Sequence, residues 1–455
     1  MKKLLSISAV LSLLLFGCSK KDLGDFVQPV DLSFHVKFQD DVAELELPKK
    51  GAKVKIVNQQ NNVEKEALTN ESGVAVFESV APGSYTVTAS ITINATDYTQ
   101  LSGTYVDEDV VFNGNLSQQV ISATNKSFTL TLEAGTIGDW VIKQVYYSGS
   151  NTARGASFRD QFIEFYNNSN KTLYADSMYF GQVIGVNNNT SGGKAGFTTL
   201  GQYDWAQSYG MSSTNPNDDY VYLKNLFMIP GTGTTYPVEP GKSIILAQTA
   251  LDHTGPYVMA DGLTQGITDP TLTVNLANAD FEVYMGAYLE AQANAAGTSY
   301  TPYKWDVDNP AVPNVKVLFS TANRDLVLDA TGRDAYVIFK ETNLNSYKYY
   351  QLPTLTSAPT AASDLYIQVA KTKVIDAVEI QHSTASSRVP KRMPTSLDAG
   401  PTNNTSGQYS SESIVRKTKR TVSGRRILQD TNNSANDFVT KTKADPSKAA
   451  SSFAD

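Results

Sequence analysis

Cysteine and histidine are nearly absent from this 455-residue chain: there is one cysteine, Cys18, and three scattered histidines, His35, His253 and His382. A single cysteine excludes a disulfide framework and a cysteine-based zinc site, and isolated histidines offer no imidazole cluster for a metal or catalytic centre. Charge is also sparse, at 18% of residues against 41% hydrophobic and 10% aromatic, a balance that excludes wholesale disorder. The one long apolar run, from Leu4 to Phe16, is shorter than the roughly 20 residues a membrane-spanning helix needs. No Gly-x-Ser-x-Gly elbow, phosphate-binding loop, dinucleotide fingerprint or His-Glu-x-x-His pair occurs. What the chain has instead is 24 Tyr, 30 Gly, 18 Pro and stretches rich in Thr, Val and Tyr. That composition favours strands and turns, so an all-β protein is expected, in two or three domains.

The N-terminus reads as an export signal: Lys2 and Lys3 precede the apolar run, which ends at Leu15-Phe16-Gly17-Cys18. This ending resembles the lipobox of bacterial lipoproteins, which implies cleavage after residue 17 and acylation, palmitate included, of Cys18. Several acyl chains, at about 0.8 kcal/mol per buried methylene, would hold the protein on a membrane while the folded part stays in water. Removing residues 1–17 takes away two lysines, so the mature balance is 36 minus 45, or −9, and basic attraction to anionic lipid is not the anchor. Lys20 and Lys21 stand before Asp22 and Asp25 in the tether, residues 18–28. A surface-facing outer-membrane location is expected, with the periplasmic face as the alternative.

From residue 29 to 135 short apolar alternations (Leu32, Phe34, Val36 and Phe38; Val54 and Ile56; Val74, Val76 and Phe77) are separated by turn clusters such as Asn70-Glu71-Ser72-Gly73 and Pro82-Gly83. About seven strands of an antiparallel sandwich fit. The run from Thr69 to Phe77, followed by Ala81-Pro82-Gly83-Ser84-Tyr85, resembles carboxypeptidase-regulatory-like, or prealbumin-like, β-sandwiches, which implies a spacer fold and no activity.

A second β domain is expected over residues 138–455. Trp140 to Tyr147 reads as an alternating strand, and Phe162 to Asn167 as a β run stopped by Asn168-Ser169. With Leu173 to Gly181, Val238 to Leu246, Val374 to Glu379, Ser413 to Lys417 and Asp430 to Phe438, the order of motifs resembles lamin-tail domains, immunoglobulin-like sandwiches here enlarged by insertions near 186–219, 286–322 and 341–364. A short helix is expected from Tyr288 to Ala295 on propensity. The whole arrangement resembles an uncharacterised Bacteroidota lipoprotein family suspected to sit beside outer-membrane transporters.

Long insertions in compact domains usually have a use, and these three carry polar-flanked aromatics. Tyr203, Trp205 and Tyr209 lie in the first, Tyr300, Tyr303 and Trp305 in the second, and Tyr347, Tyr349 and Tyr350 in the third. Displayed on loops they would suit a glycan, peptide or protein surface; folded inward they would be local cores under the loops. Asp306 and Asp308 form the candidate for a structural Ca²⁺, with a solvated turn as the alternative. Residues 388–455 hold 12 Lys and Arg against six acids, read as a charged outer face or a contact for an acidic partner; nucleic acid is disfavoured as a partner because these residues fall where the last strands belong and no aromatics interleave the cations. The reading that results is a non-enzymatic, lipid-anchored outer-membrane binding protein, accessory to a TonB-dependent-type transporter in nutrient capture. The alternative is an adhesion or structural surface protein, with a hydrolase or a nucleic-acid binder less favoured.

Overall fold

The computed structural model describes residues 28–39, 42–102, 109–134, 139–341, 347–422 and 424–455. Cys18, the signal segment 1–17 and the tether up to residue 27 lie outside the described residues. The described chain is all-β, built as two sandwiches with separate cores.

Alternation makes the first sandwich. Val54, Ile56, Val87, Ala89 and Phe34 point inward, fully or nearly fully buried, while their polar neighbours face water. Seven strands pair in the order Glu64–Leu68, Lys53–Asn58, Gly83–Ile93, Val110–Ile121, Ser127–Ala134, Val30–Phe38, Val74–Val80, antiparallel except for Val30–Phe38 beside Ser127–Ala134. The Asn70 to Gly73 turn forms as its residues dictate: the Asn70 side chain accepts from the Ser72 and Val74 N–H groups, both at 3.0 Å, and Gly73 takes φ +76°. Glu64–Leu68 is a strand that hydrophobic patterning does not reveal, for none of its side chains is buried. Its backbone pairs antiparallel with Lys53–Asn58 along its whole length, and across that seam Lys53 and Lys55 meet Glu66 and Glu64 at 2.8 and 2.6 Å.

The second sandwich has two larger sheets. One orders Phe281–Glu282, Ser243–Ala247, Phe162–Asn167, Trp140–Tyr146, Ser413–Arg416 and Phe438–Lys441. The other orders Lys348–Tyr350, Tyr366–Ala370, Tyr220–Met228, Met178–Val183, Ala335–Lys340 and Val374–Glu379, with Lys316–Ser320 also paired to Tyr220–Met228. Their inner faces close on one core, in which Phe180 packs against Phe165, Phe227 and Tyr336 at 5.8–5.9 Å between centroids. Two insertions thus do more than loop out: 286–322 supplies the strand Lys316–Ser320 and 341–364 supplies Lys348–Tyr350. The helix Gly286–Ala295 is present.

Two expectations need correction. Trp140–Tyr146 is not half-exposed: every residue in it is buried, because segments 274–279 and 444–453 cover the outer face of its sheet. Lys143, at a bulge in that strand, therefore lies in the interior, bonded to Glu164 at 2.8 Å and Ser452 at 2.7 Å. Nor is the basic C-terminal segment simply an outer face. Arg416 is 1% exposed and lies among three carboxylates, Asp376 at 2.6 Å, Asp430 at 3.3 Å and Asp437 at 3.4 Å. A guanidinium can be buried there only because carboxylates and backbone carbonyls take up its donors. Burial pushes Asp376 and Asp437 above the ordinary carboxylate range, against the pull of Arg416.

Asp160 is buried in a different setting. It is fully enclosed, its Oδ2 accepts the Tyr146 hydroxyl at 3.1 Å, and burial pushes its carboxyl up to about 7. The folded chain thus holds a proton that the unfolded chain, with an ordinary aspartate near 4, releases. This contribution to stability is full below about pH 4 and is lost as pH rises towards 7. Thermal melts at pH 5 and pH 8 should show the stability of Asp160→Asn relative to the natural chain rising from the lower pH to the higher. An equal change at both values would contradict this.

Candidate functional site

The first insertion folds inward. Trp205 is 6% exposed and stacks on Tyr222 at 3.6 Å between centroids, with Tyr366 edge-on at 6.2 Å. Asn217 pins the segment, accepting the Trp205 N–H at 2.9 Å and donating to the Tyr203 carbonyl at 2.6 Å. Tyr350, 5% exposed, closes the same cluster against Tyr222. Trp205 and Tyr350 are therefore corrected from contact residues to core: a long polar insertion needs apolar filling, and these rings supply it. Tyr203, half-buried, stacks on Phe197 and meets Trp205 edge-on.

The second insertion holds its rings with cations. Arg159, ion-paired with Asp325, lies 5.1 Å from the Trp305 ring centre and 5.7 Å from that of Tyr303. Lys304 and Arg324 approach the same two rings at 4.8 and 5.2 Å. Tyr303 and Trp305 are half-buried, as is Tyr300, and cation–π contacts already engage the first two. In the third insertion Tyr347 donates its hydroxyl to Glu341 at 3.1 Å, beneath Lys373. Tyr209 and Tyr349 are the open ones, 50% and 46% exposed.

Asp306 and Asp308 do not converge on a cation. Strand-like alternation sends Asp306 inward, where both oxygens accept the Met285 N–H at 3.1–3.2 Å at the start of the helix Gly286–Ala295. Asp308 faces out and accepts from Asn314 at 2.7 Å. Among the described residues no group of three or more His, Cys, Asp or Glu is placed to hold a metal ion. The calcium expectation at these two residues is thus corrected to a helix-start bracket and a surface turn.

A concave site lies elsewhere, between the two sandwiches. Its volume is about 240 Å³. One wall is the outer face of the first sandwich, where the alternation that buries Val54, Ile56 and Val87 turns Lys53, Lys55, Thr86, Thr88 and Ser90 outward. The other wall comes from segments 381–403 and 433–436. Asp398, fully buried, joins those segments: its Oδ1 accepts the Gly400 and Ser434 N–H groups at 3.1 and 2.9 Å, and its Oδ2 accepts the Glu379 N–H at 2.8 Å and the Ser434 hydroxyl at 2.6 Å. Gly400 leaves room for the Asn433 side chain, which a Cβ there would meet 2.7 Å from its Oδ1 and push aside. That oxygen is buried and has no hydrogen-bond partner among the described residues.

Charge spans the gap. Burial holds the Arg388 guanidinium below its ordinary range and Glu64, on the opposite sandwich, pulls it back up. Arg388 also donates to the His382 carbonyl at 3.2 Å and to Asn403 Oδ1 at 2.9 Å. The Asn113 side chain of the first sandwich donates to the Thr431 carbonyl of the second, a direct bond between the two. A larger groove of about 870 Å³ lies between segments 273–279 and 441–448, but it is more open and belongs to the second sandwich alone. None of the cleft residues was singled out from sequence as a binding residue, since they come from four stretches far apart in the chain.

Burial separates the aromatics into two sets with different mutational outcomes. Trp205→Ala should destabilise by about 3–5 kcal/mol in chemical denaturation, as large buried aromatics do, and Tyr209→Ala by less than about 0.5 kcal/mol. A Trp205→Ala protein as stable as the natural one would contradict the inward packing.

Residues 239–445 match the model of a family described as a protein of unknown function, DUF4876. That span includes the second-sandwich wall of the cleft and leaves out the first sandwich. No curated protein matches the chain. Among solved structures, a DUF4876 family protein from Bacteroides thetaiotaomicron is similar over 90% of this chain and 95% of its own, at 21% identity and a TM-score of 0.49. Fervidolysin from Fervidobacterium pennivorans, a keratinolytic enzyme related to subtilisin, is similar over 46% of this chain and 26% of its own, at 10% identity and a TM-score of 0.18. The major pilin SpaD from Corynebacterium diphtheriae is similar over 49% and 66%, at 12% identity and a TM-score of 0.15. The family match assigns no activity.

Proposed function

We propose that this chain is a non-enzymatic, lipid-anchored outer-membrane protein, facing the surface, that holds a polar ligand between its two sandwiches. It works beside an outer-membrane transporter of the TonB-dependent type in nutrient capture. The observation that carries the reading is the cleft: a concave polar space with one wall from each sandwich, along which Lys53 and Lys55 pair with Glu66 and Glu64 while Arg388 is held by carbonyl and amide acceptors. Cys18 supports the anchor. The tether from 18 to 28, fully extended, reaches at most about 40 Å at roughly 3.3–3.6 Å per residue, so a ligand held in the cleft stays near a barrel in the same membrane.

Two measurements check this. Cys18→Ala should move the protein from the membrane fraction to the soluble one; continued membrane retention would overturn the anchor. Native mass spectrometry of the protein released from its own outer membrane should show a bound small-molecule mass that is lost in Thr88→Trp, which fills the cleft from a surface position. The same bound mass in both proteins, or none in either, would overturn the cleft as the binding site. A pull-down from solubilised outer membrane should bring a stoichiometric β-barrel partner, and its absence would favour adhesion instead.

A further inference from the structure

We infer that the cleft between the sandwiches takes a small ligand bearing a single carboxylate, which the Arg388 guanidinium receives. This rests on the cleft being the binding site, as proposed above, and adds the charged group by which its ligand is held.

The charges along the cleft leave one cation over. Lys53, Lys55, Lys391 and Arg388 line it together with Glu64 and Glu66. Lys53 pairs with Glu66 at 2.8 Å and Lys55 with Glu64 at 2.6 Å. Lys391 is buried, bonds the Met393 carbonyl at 2.9 Å and has the buried Glu379 carboxylate 3.6 Å away. Arg388 is held by neutral groups instead, the His382 carbonyl at 3.2 Å and Asn403 Oδ1 at 2.9 Å, with no ion-paired carboxylate among the described residues. Glu64 acts on it across the gap, but that carboxylate already accepts from Lys55. A guanidinium largely out of water without a counter-ion is unfavourable, and an anionic guest supplies the missing charge.

The guanidinium is also fixed in place. The Asn403 amide donates to the Asn404 carbonyl at 2.9 Å, which sets its Oδ1 toward Arg388. The backbone around it is pinned: the Arg388 N–H donates to the Ala385 carbonyl at 3.0 Å, the Val389 N–H to Gln381 Oε1 at 2.9 Å, and Asn189 Nδ2 to the Ser386 carbonyl at 3.0 Å. The His382 carbonyl takes the Nε hydrogen and Asn403 takes one from Nη2. Both hydrogens of Nη1 and the second of Nη2 have no partner among the described residues. One from each nitrogen makes the planar pair that meets a carboxylate with two parallel bonds.

Glu64 and Glu66 limit the charge of the guest. A neutral guest leaves Arg388 without a counter-ion. A phosphate monoester, at about −1.5 to −2 near pH 7, carries more charge than one guanidinium balances and sets the excess beside two carboxylates. A single carboxylate balances the site. For the rest of the guest the lining offers hydroxyls and amides, Thr88 and Ser90 on one wall and Ser386 and Asn436 on the other. The volume of about 240 Å³ falls below the roughly 300–1,000 Å³ of sites for drug-sized ligands, so the acid is small. A sugar acid and a short peptide with a free C-terminus both present this chemistry.

The test is calorimetry on the mature full chain with galacturonate and N-acetyl-dialanine, beside their uncharged counterparts galactose and N-acetyl-dialanine amide, and with galactose 6-phosphate. Binding of galacturonate marks a sugar acid as the source, and binding of N-acetyl-dialanine a peptide acid. At least one should bind about tenfold or more tightly than its uncharged counterpart. Arg388→Gln should remove that preference and Thr88→Trp, from the opposite wall, should abolish binding, each with its melting temperature recorded. Tyr209→Ala should leave it unchanged. An uncharged counterpart or galactose 6-phosphate that binds as tightly as the acid, in a manner that Thr88→Trp abolishes, would overturn the carboxylate assignment and keep the cleft as the site. A preference for the acid that survives in Arg388→Gln would overturn the part given to the guanidinium. Acid binding that both variants leave intact would place the ligand elsewhere and overturn assignment and cleft together. If neither acid binds at millimolar concentration, the assignment falls, and the native mass of the Thr88→Trp protein decides the cleft separately.

Discussion

One buried guanidinium ties the second sandwich together and reaches the cleft. Arg416 lies on one sheet, its strongest ion pair is to Asp376 on the other, and Asp376 also accepts the Ile142 N–H of the first sheet at 2.5 Å. Its further partners, Asp430 and Asp437, belong to the segment that forms the cleft floor. Asp437 in turn accepts the Thr431 N–H at 2.9 Å and the Thr431 hydroxyl at 2.8 Å. Thr431 offers its carbonyl to Asn113 of the first sandwich, and Asn433 stands two residues further on. A single buried charge thus orients the backbone that joins the domains and shapes the space between them. Such a network is fully satisfied or costly, because removing one member leaves the others buried without compensation.

The insertions have a different part in this arrangement. Their aromatics pack under the loops, as Trp205 does on Tyr222, or lie against cations, as Tyr303 and Trp305 do beside Arg159. These contacts hold long polar segments on the sandwich, the first through a small aromatic cluster of its own. Concavity and a polar lining coincide instead between the domains.

How far the sequence reveals this depends on whether the causes are local. Period-two alternation, the Asn70 to Gly73 turn and the helix propensity of Tyr288 to Ala295 act within a few residues, and each is legible there. Glu64–Leu68 is not, because it bonds to the backbone of another strand and its own residues read as helix-formers. Trp205 was open to two readings, since exposure depends on a tyrosine that folding brings beneath it. Arg416 stands among exposed cations in the sequence, while one of the carboxylates that bury it, Asp376, is 40 positions away. The cleft is the extreme case: residues 53–90, 189, 381–403 and 433–436 share no motif and meet only when both sandwiches are in place.

Amide hydrogen exchange on Asp437→Asn, a change that keeps volume and removes one charge, tests the link between the buried network and the cleft most directly. Exchange should quicken at least tenfold across 429–437, where the Ala435 N–H donates to the Gly400 carbonyl at 2.8 Å, and at Ala399, whose N–H donates to the Asn432 carbonyl at 2.7 Å, while the 186–219 insertion stays as protected as before. Natural protection across 429–437 in that variant would contradict the account, because the cleft floor would then be held by something other than the charge on Arg416.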